Sequence, residues 1–87
     1  MAAARAGLKF SPQAGGFTLL PHGQLISGDL TVFDLRGQAA FRSSYDAAAS
    51  QWSRPRASGL KERVYGYEFR GQDGTTLRGR ISLLYNL

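Results

Sequence analysis

The chain has 87 residues, 43% of them hydrophobic and 20% charged, with a formal net charge of +5 at pH 7. This length gives one domain with a single modest core, and the composition argues against disorder. The absence of cysteine excludes disulfides and thiolate metal sites. No apolar run approaches the ~20 residues that a membrane helix needs.

Residues 1–7 carry one charge, and no apolar run follows them, so we expect no signal peptide. They are predicted to form a flexible arm, and residues 8–87 a single domain. We therefore expect a cytoplasmic protein that has no membrane partner.

Short strands alternate with turns over the first forty residues. Strands are predicted at residues 8–10, 17–20, 30–35 and 39–42. The segments between them contain glycine or proline, which favour turns.

One short helix is predicted at about residues 44–53. Ser43 and Asp46 have the spacing of a capping box, and Arg54-Pro55 would end the helix. The residues of its apolar stripe would be Tyr45, Ala48, Ala49 and Trp52. A helix this short needs tertiary packing, so we expect Tyr45 and Trp52 to lie against the sheet.

The last third of the chain, residues 62–85, is predicted to form one long β-hairpin. A two-residue Asp-Gly turn would pair Phe69 with Arg78 and mix apolar and charged side chains on both faces. A three-residue loop at 72–74, with Gly74 in the left-handed conformation, separates them. It predicts these pairs: Phe69 with Leu77, Tyr67 with Gly79, Tyr65 with Ile81, Glu68 with Arg78, and Gly66 with Arg80. One face of the hairpin is then apolar and the other is basic.

Residues 32–38 are similar in sequence to residues 66–72, since both run aromatic, acid, apolar, Arg, Gly, Gln. Two hairpins that converged on the same residues at a strand end are the simpler interpretation. The alternative is a duplicated hairpin, which would make the fold pseudo-symmetric. Both interpretations predict a strand followed by a turn at each place.

These elements predict an α+β domain, with a small curled antiparallel sheet of four to six strands and one short helix on one face or end. The alternative is a small barrel that opens only to admit the helix.

Residues for catalysis are sparse, and we expect neither an enzyme nor a bound metal or cofactor. His22 is the single histidine and lies in a Pro-His-Gly turn sequence. Glu62 and Glu68 would be about 20 Å apart on one strand, too far for paired acid–base chemistry.

The segment from Arg63 to Phe69 superficially resembles the aromatic strand with which RNA-recognition motifs stack bases. Val64 and Glu68 depart from that pattern, and only eighteen residues follow Phe69, too few for the missing helix and strand. The chain is therefore not assigned to that family. The three aromatic residues of this segment, Tyr65, Tyr67 and Phe69, are predicted to lie in the core, with base stacking as the alternative.

The positive charge is concentrated in residues 36–87, which hold nine basic and four acidic residues. A basic half on a folded domain favours a polyanionic partner, and arginine suits phosphate and carboxylate alike. The predicted binding residues are Arg54, Arg56, Lys61, Arg63, Arg70, Arg78 and Arg80. The competing interpretation is a solvated basic face, partly neutralised by Glu62 and Glu68.

Two functions follow from this distribution. The first is a non-catalytic module that binds the phosphate backbone of nucleic acid. The second is a protein-interaction module (an adaptor, an inhibitor or a homo-oligomer) that uses these arginines against an acidic surface or an exposed strand edge at residues 17–20 or 83–85.

Overall fold

The computed structural model describes residues 7–83, which form eight β-strands in two antiparallel sheets. The strands are Gly7–Gln13 (β1), Gly16–His22 (β2), Gly28–Phe33 (β3), Ala39–Asp46 (β4), Gln51–Trp52 (β5), Arg56–Ala57 (β6), Val64–Gly71 (β7) and Thr76–Ser82 (β8). The three-stranded sheet has the order β1-β2-β6, and the five-stranded sheet has the order β5-β4-β3-β7-β8. The predicted N-terminal arm lies outside the described residues except for Gly7, which begins β1.

The core lies between the two sheets and is built from alternate residues of their strands. Phe17 of β2 packs edge-on against Phe41 of β4, with ring centroids 5.9 Å apart. The rings of Phe10 on β1 and Tyr67 on β7 are in contact, with their centroids 5.0 Å apart. Phe17 and Val32 are fully buried. The residues that point between the sheets thus provide most of the apolar burial that stabilises a domain of this size.

Residues 51–57 connect the two sheets along one edge. They pair first with β4 and then with β2, and between these pairings Leu19 donates a backbone hydrogen bond of 2.9 Å to the carbonyl of Pro55. The hydroxyl of buried Ser43 donates a hydrogen bond to the carbonyl of Arg54 at 3.1 Å and accepts one from the amide of Arg54 at 3.0 Å. The segment is a strand that switches sheets at a corner. Because β1 and β8 each pair with one strand among the described residues, the sheets do not close into a barrel, and the predicted alternative is wrong as well.

The predicted helix at residues 44–53 is wrong, and with it the α+β class and the count of four to six strands. The chain is all-β over residues 7–83, and the segment forms the end of β4, a turn and β5. Tyr45 and Trp52 are direct partners across this hairpin, with ring centroids 4.9 Å apart. Both rings are buried, but they belong to strands of the five-stranded sheet and do not pack onto it from a helix.

The turn between β4 and β5 explains why the capping-box pattern of Ser43 and Asp46 led to a wrong prediction of a helix. The Asp46 carboxylate accepts a hydrogen bond from the amide of Ala48 at 3.0 Å, so it closes an Asx turn instead of capping a helix. Ser50 adopts a left-handed conformation, with φ of 52°, which ends any helical course. The hydroxyl of Ser27 accepts a hydrogen bond from the amide of Ala47 at 2.9 Å and anchors the turn.

The predicted register of the C-terminal hairpin is confirmed at all five pairs. Gly71 and Thr75 close the three-residue loop through a 2.8 Å backbone hydrogen bond, and Gly74 is left-handed with φ of 91°. Tyr65 and Phe69 are buried, and the ring of Tyr67 lies over Gly79, occupying the space of a missing side chain. The apolar face is therefore turned inward and fills the core.

The two similar segments, 32–38 and 66–72, each contain the end of a strand that leads into a turn, as predicted. The two turns have the same backbone hydrogen bonds. In the first, the amide of Asp34 donates to the carbonyl of Gln38, and in the second, the amide of Gly71 donates to the carbonyl of Thr75. In the structure Gly37 thus corresponds to Gly74, whereas the sequence similarity aligns Gly37 with Gly71. The similar residues occupy different places in their hairpins, which supports convergence over duplication.

Candidate nucleic-acid interface

The outer face is the side of the five-stranded sheet that points away from the core. Burial alternates along its strands, as in β4, where Phe41, Ser43 and Tyr45 are buried and the residues between them are exposed. The outer face includes Gly66 and the side chains of Asp29, Thr31, Phe33, Arg42, Ser44, Glu68, Arg70, Arg78 and Arg80.

The strand register arranges these residues in rows across the sheet. One row runs from Arg42 through Thr31 and Glu68 to Arg78. A neighbouring row places Asp29 opposite Arg70. Because adjacent strands lie about 4.8 Å apart, the basic residues of the outer face are spread over three strand spacings, about 14 Å.

Glu68 holds two arginines together near the middle of this surface. Its Oε2 accepts hydrogen bonds from Arg78 Nη2 and Arg70 Nε, both at 3.2 Å. The bond from Arg78, followed by the bond from Arg70, lowers the pKa of the Glu68 carboxyl, against an opposing effect of partial desolvation. Both guanidinium groups stay largely exposed, with 73% of each side chain accessible to solvent. They can therefore bind a further anion while Glu68 orients them.

Arg42 and Arg80 are different, because no carboxylate in residues 7–83 lies within 4.0 Å of either. Both are exposed. Their full charge is available to a ligand, whereas one unit of the charge on Arg70 and Arg78 is offset by Glu68.

A shallow polar depression of about 340 Å³ lies on the same face beside Arg42. Two of its serine hydroxyls are engaged within the protein: Ser44 donates to Asp29 Oδ1, and Ser53 accepts from the amide of Ser44, both at 2.9 Å. Arg42 is the cationic donor on its wall and is open to an anion.

Three of the seven predicted binding residues come together, and four do not. Arg70, Arg78 and Arg80 share the outer face. Arg56 pairs with Thr18 and points outward from the three-stranded sheet, on the opposite side of the molecule. The guanidinium of Arg54 lies 4.8 Å from the ring centroid of Phe41, at the corner between the sheets. Lys61 and Arg63 are exposed in the link that precedes β7.

The sequence interpretation missed two residues of the outer face, Arg42 and Phe33. Arg42 had a detectable signal in the sequence, since aromatic Phe41 and Tyr45 fall on one side of a period-two pattern and charged Arg42 and Asp46 on the other. Phe33 had none, because residues 30–33 are apolar or neutral on both sides of their strand.

Residues 17–20, expected as an exposed edge, belong to β2, which pairs with β1 on one side and with β6 on the other. That prediction is wrong. Of the second expected edge, only Leu83 is described, and its amide donates to the carbonyl of Arg63 at 2.7 Å. The edge strands of the described sheets are β1 and β8 and the two-residue strands β5 and β6. The two long edges, β1 and β8, carry Lys9, Pro12, Arg78 and Arg80, residue types that oppose strand addition.

Comparisons of the chain with protein-family models, with curated proteins and with solved structures each returned no match. Within residues 7–83, no group of three histidine or carboxylate side chains is placed to hold a metal ion. Nor does that part of the chain contain a helix of the length and apolar character that crossing a membrane requires.

Proposed function

We propose that the protein is a non-catalytic module that binds the phosphate backbone of nucleic acid through the outer face. The observation that carries this proposal is the placement of Arg42, Arg70, Arg78 and Arg80 on one solvent-exposed sheet surface. Two of them have no carboxylate partner in the described chain, and the other two share a single one.

Arginine is suited to this task because its planar guanidinium donates two parallel hydrogen bonds to phosphate oxygens. Arg78 and Arg80 are two residues apart on one strand, about 6.8 Å, so both side chains can contact one strand of nucleic acid. Phosphate contacts of this kind give affinity and orientation without base specificity. We therefore expect binding that depends strongly on salt and weakly on sequence.

Double charge reversal tests the proposal. Arg78→Glu/Arg80→Glu should abolish binding of a fluorescein-labelled oligonucleotide in an anisotropy titration, while circular dichroism shows an unchanged fold because both side chains are exposed. The matched control is Lys9→Glu/Arg56→Glu, which changes the net charge equally on the three-stranded sheet.

The control should retain most of the affinity of the wild-type protein. Equal loss in the two double variants would contradict a role for this face, since net charge alone would then explain the binding. Absence of salt-sensitive binding to RNA and DNA at low micromolar protein would refute the proposed function. Tighter binding to polyglutamate than to an oligonucleotide of equal charge would favour the alternative, an acidic protein surface.

A further inference from the structure

Phe33 is an aromatic side chain on the outward side of its sheet. Leu30 and Val32 of the same strand are buried in the core, whereas Phe33, at the next position after Val32, is only half-buried and points the opposite way. It is not among the partly buried hydrophobic residues that pack against the core. The packing between the sheets therefore does not account for this ring.

The residues that pair with Phe33 on the two neighbouring strands are small. On β4 its partner is Ala39, at a β-bulge that interrupts the register between Val32 and Phe33. On β7 its partner is Gly66. Neither partner can cover an aromatic ring.

Gly66 leaves an open notch in the outer face. Within the described part of the chain, a side-chain carbon at this position would have one neighbouring atom within 4 Å, the carbonyl oxygen of Gly79 at 3.9 Å. Gly79 on β8 differs from Gly66, because the ring of Tyr67 occupies the space that a side chain at Gly79 would fill. No side chain of residues 7–83 therefore lies within 4 Å of this position.

Arg80 bounds the notch on its other side. It pairs directly with Gly66, so Phe33, Gly66 and Arg80 form one row across β3, β7 and β8. The outer strands of this row lie about 10 Å apart, two strand spacings. A base stacked on both sides needs about 7 Å, twice the ~3.4 Å rise of stacked nucleotides.

We propose that Phe33, Gly66 and Arg80 form a slot that accepts one unpaired nucleobase, so that the outer face selects single-stranded nucleic acid. The inference rests on the proposed function, because Arg78 and Arg42 would hold the phosphates on either side of the stacked base. An aromatic ring and a guanidinium both stack on the faces of bases, and stacking tolerates all four of them. In a duplex these faces are covered by neighbouring base pairs, and the slot would stay empty.

Three oligonucleotides of equal length separate the base contribution from the phosphate contribution: oligo-dT, an abasic deoxyribose-phosphate strand and a duplex. The variants are Phe33→Leu, which keeps an apolar side chain but removes the aromatic face, and Gly66→Val, which fills the notch. Valine is favoured in strands, and the first carbon has ordinary contact distance here, so the second variant should fold at least as well as the wild-type protein. Thermal unfolding of both variants verifies this.

We expect each variant to lose about 5- to 150-fold in affinity for oligo-dT, the loss of one stacked base. The slope of log affinity against log salt should not change, because no phosphate contact is removed. Affinities for the abasic strand and for the duplex should be unaltered by either variant.

The outcomes distinguish this inference from the proposed function. Salt-dependent binding of oligo-dT that neither variant weakens would overturn the slot and leave the phosphate interface standing. So would equal affinity of the wild-type protein for oligo-dT and the abasic strand. Loss of duplex affinity in the variants would overturn selection of single strands. No salt-dependent binding to any of the three probes would overturn both proposals.

Discussion

Replacing Glu68 by glutamine should strengthen nucleic-acid binding, although it removes an interaction of the folded protein. The carboxylate accepts hydrogen bonds at 3.2 Å from both Arg70 and Arg78 and offsets one of their two charges. Glutamine at this position has a similar shape but no charge. The variant therefore presents one more uncompensated positive charge on the outer face.

The size of the effect follows from counterion release. One added contact with a single-stranded phosphate steepens the slope of log affinity against log salt by about 0.7. Extrapolated from 1 M to 0.1 M salt, that slope corresponds to about a fivefold gain in affinity. Four arginines offset by one carboxylate give the wild-type protein a slope of about −2, so its affinity should fall about 16-fold between 50 and 200 mM salt.

The assay is an anisotropy titration of labelled oligo-dT at 50, 100 and 200 mM salt. The control is Glu62→Gln, which makes the same chemical change in the exposed link before β7. It should change the affinity less than Glu68→Gln does. Weaker binding by Glu68→Gln, or an equal gain from Glu62→Gln, would refute the idea that Glu68 limits the charge of this face.

Two further substitutions and the pH dependence of Glu68→Gln test the fold. Trp52→Ala should destabilise the protein by about 3–5 kcal/mol in urea unfolding, because Trp52 is 92% buried and its ring packs on Tyr45; a loss below 1 kcal/mol would contradict this packing. Gly16→Ala should lower the melting temperature sharply, because the added carbon would meet the carbonyl oxygen of Ala57; an unchanged melting temperature would show that β2 and β6 do not approach so closely. The wild-type protein should be more stable than Glu68→Gln at neutral pH. Since the folded-state pKa of Glu68 is lowered, this difference should be complete above the unfolded value of about 4.3 and decline as the pH falls through the folded value. A difference that grows on acidification in urea titrations would contradict the cause assigned to this pKa shift.

The C-terminal hairpin was predictable because one property decided its register. Shifting the pairing by one residue exchanges the faces of a strand, and only one loop length kept Phe69 and Arg78 on different faces. Both partners lie close in sequence, so local turn chemistry and alternation contained the answer. The buried aromatic rings and the exposed arginines followed from the same step.

The helix was mispredicted because Tyr45 and Trp52 are seven residues apart. That spacing puts two residues on one face of a helix, but it also places them opposite each other across a hairpin whose turn lies between them. Asp46 fits both structures as well, at a helix start or in an Asx turn. Alternation of residues 41–46 favoured the strand, and pairing with β3 decides in its favour.

The outer face could be predicted only in part. The alternation of apolar and polar residues along a strand shows which side chains share a face. This was sufficient to place Arg70, Arg78 and Arg80 on one face. It does not show which strands are neighbours. Arg42 joins the site because β3 lies between β4 and β7, a pairing of segments far apart in the chain. The notch beside Phe33 depends on that same pairing, since it sets Gly66 opposite the ring.

The most direct test of the binding face is a two-dimensional ¹H–¹⁵N NMR titration of arginine Nε–Hε signals with oligo-dT. These signals report on each guanidinium separately, and Arg56 on the opposite sheet serves as the internal reference. We predict saturable shifts for Arg42, Arg78 and Arg80 and little change for Arg56. Shifts confined to Arg56, or small uniform shifts of all arginines that never saturate, would contradict the account.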